Sequence, residues 1–111
     1  MSDRRVVITG IGIVSPLAFG REATWERLIA GKSGAGRIDV FDPDDMPCKI
    51  AFQVPWTNGR GGGSGDPHAF DPDKFVSPKE LRRIDEFILY AIAAAEEAVE
   101  DADWRPEDDE S

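Results

Sequence analysis

Valine and isoleucine crowd the N-terminus in Arg5-Val6-Val7-Ile8-Thr9. The apolar positions are consecutive rather than alternating, which calls for burial on both faces. The run therefore predicts an inner strand of a layered α/β sheet. Gly10-Ile11-Gly12-Ile13-Val14-Ser15-Pro16 follows as a turn-rich, still apolar connection. Trp25, Leu28 and Ile29 then fall at i, i+3 and i+4 and predict a short helix over 21–30. Gly31 stands where a C′ glycine would end it. Residues 32–48 read as loop, and 49–54 as a second, short strand stopped by Pro55. Ser77-Pro78-Lys79-Glu80 is a capping box with proline at the first helical position. From there Leu81, Ile84, Ile88, Ile92, Ala95, Val99 and Ala102 keep helical spacing, with Phe87 and Ala91 widening the stripe. One long helix is expected from 78 to about 102, closed by Asp103-Trp104-Arg105-Pro106.

This inventory is short of partners. A strand buried on both faces needs strands on both edges and helices above and below. The chain offers one other short strand and two helices, and two strands make a marginal sheet. The missing layers are expected from a longer parent chain or from a partner. The Gly-rich stretch within 57–69 reads as a flexible loop, and as an insertion rather than a domain boundary, because too little chain lies on either side for two cores.

Charge changes the picture in one place. The chain carries a net −9, yet residues 96–111 alone hold nine acids against one base, Arg105. The remainder is close to neutral, so the acidity is a C-terminal feature and reads as solvated. The apolar runs are too short to span a membrane, and the glycine- and proline-interrupted N-terminus does not resemble a secretory signal. A single cysteine, Cys48, fits a reducing compartment, so a cytoplasmic setting is expected.

Few motifs survive weighing. Gly10-Ile11-Gly12 begins like a dinucleotide fingerprint, but the third glycine is Ser15, followed by Pro16, and no helix opens there to receive a pyrophosphate. A turn that lets the backbone pack closely is the better reading. Gly31-Lys32-Ser33 follows a helix and lacks the upstream glycine of a P-loop, since Glu26 stands there. Cys48 has no histidine or helix N-terminus nearby to activate it, so an inert, buried or half-buried thiol is expected. His68 reads as a solvated loop residue, and one Cys with one His is too few for a metal site. Lys79, Arg82 and Arg83 share a face at the start of the long helix, where the dipole disfavours cations by about 0.3–1 kcal/mol each. They are either an ordinary solvated face, relieved by Asp85 and Glu86, or an anion site for a phosphate or an acidic protein.

Four blocks in order carry a resemblance. They are Arg4-Arg5-Val6-Val7-Ile8-Thr9-Gly10-Ile11-Gly12-Ile13-Val14-Ser15-Pro16-Leu17; Thr24-Trp25-Glu26 with Leu28-Ile29-Ala30-Gly31-Lys32-Ser33-Gly34; Phe41-Asp42 with Lys49-Ile50-Ala51; and Ser77-Pro78-Lys79-Glu80-Leu81-Arg82-Arg83-Ile84-Asp85-Glu86-Phe87 with Tyr90-Ala91. Together they resemble the opening of β-ketoacyl-acyl-carrier-protein synthases of the elongating type, in the condensing-enzyme or thiolase-like family. The resemblance implies residues 1–106 as the first portion of that family's N-terminal domain, an incomplete piece of a layered αβαβα fold, with an acidic tail at 107–111. It implies an acyltransferase that condenses a cysteine-bound acyl group with malonyl-acyl carrier protein and releases CO₂, working as a homodimer without a cofactor. The family's catalytic Cys and two His lie downstream, and Cys48 and His68 match none of them. Lys79, Arg82 and Arg83 match the positions that dock the acidic acyl carrier protein. The chain alone is therefore expected to be inactive. A polyketide-type ketosynthase, a chain-length factor and a non-catalytic carrier-binding module remain as alternatives.

Overall fold

The computed structural model describes residues 3–104, so the expected tail at 107–111 and the expected domain end at 106 lie outside the described residues. Helix α1 (Arg21–Ile29) forms as its apolar spacing predicts. Its end is a Schellman motif. Gly31 takes φ +74° and donates its N–H to Leu28 O, while Lys32 N–H donates to Arg27 O at 3.0 Å. The apolar face of α1 is uncovered, however: Trp25, Leu28 and Ile29 all face solvent.

The only sheet among the described residues has two antiparallel strands, β1 (Ala35–Arg37) and β2 (Ile50–Phe52). Gly36 lies opposite Ala51 in their register. β1 falls inside the stretch expected as loop, and β2 is shorter than the expected 49–54. The predicted inner strand is not a strand at all. Residues 5–9 form no ladder among the described residues, and Val6 and Ile8 are 94% and 83% exposed. A strand exists only as part of a ladder. β1 and β2 pair only with each other, and among the described residues neither of their outer edges takes up the N-terminal run.

The expected long helix is two. Ser77 Oγ accepts the Glu80 N–H at 3.3 Å and caps α2 (Pro78–Leu81), a single turn that closes at Arg82. The backbone then re-extends at Asp85 (φ −78°, ψ 158°), which is the N-cap of α3 (Glu86–Ala102). The Asp85 side chain makes no cap hydrogen bond, so the second helix start, eight residues after Ser77, lies in the backbone turn itself. α3 ends at Asp103, which adopts φ +52°.

The core is a small aromatic cluster. Phe70 and Leu89 are its only large side chains that are fully buried, joined by Trp56, Val76 and Ala93, with Phe19, Phe75 and Tyr90 packed against them. Phe70 meets Phe19, Trp56 and Tyr90 edge to face, with centroids 5.3–5.7 Å apart, and lies parallel to Phe75. Such pairs contribute about 0.5–1.5 kcal/mol each beyond area burial. α3 turns Leu89 and Ala93 to this cluster and leaves Phe87, Ile88 and Ile92 outside, so its buried face is rotated from the predicted stripe.

A second contact holds α3. Gly10 and Gly12 lie directly on its backbone: a Cβ at Gly12 would sit 1.8 Å from Ala94 O, and one at Gly10 2.1 Å from Ala98 O. The close packing expected of this glycine pair is present, but the expected turn is not, since residues 10–13 form no turn or bend. The whole remains open, with a radius of gyration of 17.1 Å against roughly 13 Å for a compact chain of this length. No helix among the described residues is long and apolar enough to cross a membrane.

Candidate functional site

The three cations singled out in the sequence fall in one helical turn and the tight turn after it. Lys79 is in α2, Arg82 is its C-cap, and Arg83 donates its N–H to Glu80 O at 2.9 Å. All three are exposed, and none forms an ion pair with another described residue. α2 is four residues long, so it has little aligned dipole to offer an anion. Any attraction for anions here comes from the side-chain charges.

The acids expected to relieve these charges behave differently. Glu86, at the start of α3, is held in a bidentate pair by Arg60, with Arg60 Nη2 donating to Glu86 Oε2 at 2.8 Å. Arg60 comes from the Gly-rich segment, 26 residues away in sequence. Its guanidinium also stacks over the Trp56 ring, 4.7 Å from the centroid. Trp56 Nε1 donates to Tyr90 Oη at 2.9 Å, and burial pushes the Tyr90 phenol above its ordinary value. Glu86 is thus committed to Arg60, which leaves the basic turn less compensated than its sequence suggests.

The Gly-rich segment is pinned at its other end too. Arg27 of α1 donates from Nη1 and Nη2 to the Asp66 carboxylate at 2.9 and 2.8 Å, and also to Leu17 O at 2.6 Å. The hydrogen bond from Arg27, aided by the His68 N–H and opposed by desolvation, lowers the Asp66 carboxyl from 3.8 to about 2. Gly59, Gly61, Gly62 and Gly65 all take positive φ, a conformation that glycine adopts without steric cost. Neither ion pair was legible locally, because its partners lie 26 and 39 residues apart.

α3 carries two acids with partners in the N-terminal segment. Glu97, its side chain 17% exposed, and Asp101 accept backbone N–H groups of the N-terminal segment and pair with Arg21. They border an open cleft of about 770 Å³ over Phe19, Phe75 and Ile92. The reading of the acid-rich stretch 96–111 as solvated fails at Glu97, while Asp101 stays exposed as it pairs.

Acyl transfer needs a nucleophile beside a base, and the two side chains weighed for such a role are both exposed. Cys48 is exposed, not buried or half-buried as expected, because it sits just before β2 on a hairpin open to water; its Sγ lies 3.3 Å from Ile50 O. His68 is exposed in the loop that Asp66 anchors.

Comparison with known proteins gives a consistent answer. Residues 3–111 match the model of the beta-ketoacyl synthase N-terminal domain. The chain is 47% identical over 107 residues to the 3-oxoacyl-[acyl-carrier-protein] synthase 2 of Rhizobium meliloti, covering 96% of this chain and 24% of that protein. It is 37% identical over 102 residues to the Vibrio cholerae enzyme of the same name, covering 92% and 22%. The mitochondrial 3-oxoacyl-[acyl-carrier-protein] synthase of Arabidopsis thaliana is 36% identical over 123 residues, covering 98% and 24%. The chain thus spans about a quarter of the length of these relatives. With a match running from residue 3 onward, through the paired glycines against α3 and the basic turn at α2, the chain belongs to the β-ketoacyl synthase family.

Proposed function

We propose that this chain is the opening portion of a 3-oxoacyl-acyl-carrier-protein synthase, and that its own contribution is scaffold and carrier docking. In the complete enzyme a cysteine-bound acyl group would condense with malonyl-acyl carrier protein, with loss of CO₂, in fatty-acid elongation. The nucleophile and its histidines would come from sequence beyond this segment. Residues 5–9 would enter an inner sheet of the layered thiolase-like fold, and the uncovered faces of α1 and α3 would be buried by further layers. The bare apolar surface of Val6, Ile8, Trp25 and Phe87 supports that reading. A cytoplasmic, dimeric enzyme without a cofactor follows from the same family argument.

Docking rests on one observation. Lys79, Arg82 and Arg83 stand exposed without ion-pair partners among the described residues, while Glu86 is drawn away by Arg60. Three uncompensated cations on one turn suit an acidic carrier protein, whose attraction would be salt-sensitive. The test is binding of purified chain to acyl carrier protein at about 0.05 and about 0.5 M salt. The triple variant Lys79→Glu, Arg82→Glu, Arg83→Glu should lose tenfold or more in affinity, about 1.4 kcal/mol. Lys32→Glu, on the exposed loop that follows α1, should change it little. Equal affinities for the parent and the triple variant would remove the docking assignment. The chain alone should show no condensation of acyl- with malonyl-carrier protein, and measurable turnover would contradict its role as scaffold.

A further inference from the structure

Residues 10–13 lie along α3 in a repeating match. Gly10 rests against Ala98 and Ala102, and Gly12 against Ala94 and Ala98. The chain therefore runs antiparallel to the helix, advancing two residues for every four of α3. Two extended residues cover roughly 6.8 Å and four helical residues about 6.0 Å, so the two repeats keep step over this span. The intervening residues use the same period. Ile11 N–H donates to Asp101 Oδ2 at 3.0 Å, and Ile13 N–H to Glu97 Oε1 at 2.8 Å.

Glu97 does a second job with its other oxygen. The N-cap of α1 is Gly20, which has no side chain with which to cap. Glu97 Oε2 accepts the Arg21 N–H at 3.0 Å, so the first amide of α1 is satisfied by a carboxylate 76 residues away. The Arg21 guanidinium then reaches Glu97 at 3.4 Å and Asp101 at 3.0 Å.

We propose that Glu97 and Asp101 are positioning residues forming a register clamp, which fixes where the N-terminal apolar run lies along α3 and caps α1 from outside. Two independent features select the same register. A slip of one residue would press the Ile11 or Ile13 side chain against helix backbone that has no room for a single Cβ. It would also turn Gly10 and Gly12 amides, instead of Ile11 and Ile13, toward the carboxylates. The clamp needs no neighbouring strand, so it holds residues 10–13 while residues 5–9 still lack a sheet.

The clamp makes a residue-by-residue prediction for amide hydrogen exchange in the full chain. Ile11 and Ile13 belong to no helix or strand, yet their amides should be protected. Asp101→Ala should speed exchange at Ile11 by tenfold or more and leave Ile13 within about threefold. Glu97→Ala should do the reverse, and should also release the Arg21 amide. Glu97→Gln, which keeps a carbonyl acceptor, should restore most of the protection at Ile13. The Leu81 amide, bonded to Ser77 O, serves as the control for intact structure. Unprotected Ile11 and Ile13 in the parent chain would overturn the clamp. So would equal losses at both amides from either single alanine, whether or not Leu81 is also released.

Discussion

Adding one methyl at Gly12 tests the glycine contact on α3 most directly. In Gly12→Ala the new Cβ would lie 1.8 Å from Ala94 O, 2.7 Å from Ala94 C and 2.9 Å from Ala98 N. All three are helix backbone atoms, so no rotamer change can relieve the overlap. Ordinary contact begins near 3.4 Å, so the segment must withdraw by roughly 1.6 Å. That carries Ile13 N–H, now 2.8 Å from Glu97, beyond hydrogen-bond reach, and the Ile11 bond to Asp101 weakens with it. Losing one partly exposed, charge-assisted bond and weakening a second costs about 1 kcal/mol in all, and overpacking adds about 1–3 kcal/mol. The expected loss is about 2–4 kcal/mol. Trp56 is 6% exposed while Trp25 and Trp104 face solvent, so fluorescence during urea unfolding follows the aromatic cluster. Val14 and Phe19, just after the glycines, pack on that cluster and transmit the change. With a urea slope of about 1–2 kcal/mol/M, the midpoint should fall by at least ~1 M. Gly36→Ala places its methyl in open space and should shift stability by less than about 0.5 kcal/mol. A Gly12→Ala midpoint within ~0.3 M of the parent would show that the segment does not bear on α3.

Two further outcomes follow from the same geometry. Phe70→Ala removes the ring on which Phe19, Trp56, Phe75 and Tyr90 converge, and should cost about 3–5 kcal/mol, read as a red shift of Trp56 emission without denaturant. Asp66, 18% exposed at its side chain, should titrate near 2 by carboxyl-carbon NMR rather than near 3.8. Because the folded value lies below the unfolded one, its pairing with Arg27 stabilises the chain fully above about pH 4, and that contribution is lost as pH falls toward 2. Nearly two units at 1.36 kcal/mol each, reduced for partial exposure, give about 1–2 kcal/mol. A carboxyl titrating near 3.8 would show that Arg27 does not hold it.

Where a signal is carried by neighbouring residues, sequence and structure agree. Gly31 stops α1 because its positive φ suits glycine and little else, and Ser77 caps α2 through its own hydroxyl. The close packing at Gly10 and Gly12 was legible because a glycine pair in an apolar run has few other uses. Agreement fails where the partner is remote. Arg60, Arg27, Glu97 and Asp101 each act on residues 26 to 90 positions away, and nothing beside them in the sequence names that partner.

The sequence by itself determined the family, the stop of α1 at Gly31, the cap of α2 at Ser77, and the demand of residues 5–9 for burial on both faces. Tertiary structure alone decided whether that demand is met, which face of α3 turns inward, and which acids are structural. The reason is physical. The caps at Gly31 and Ser77 are closed by atoms within a few residues, so local composition specifies them, whereas the start of α1 draws on Glu97, 76 residues away. A strand ladder, a buried helix face and an ion pair each require a second surface, and its position depends on how the rest of the chain packs.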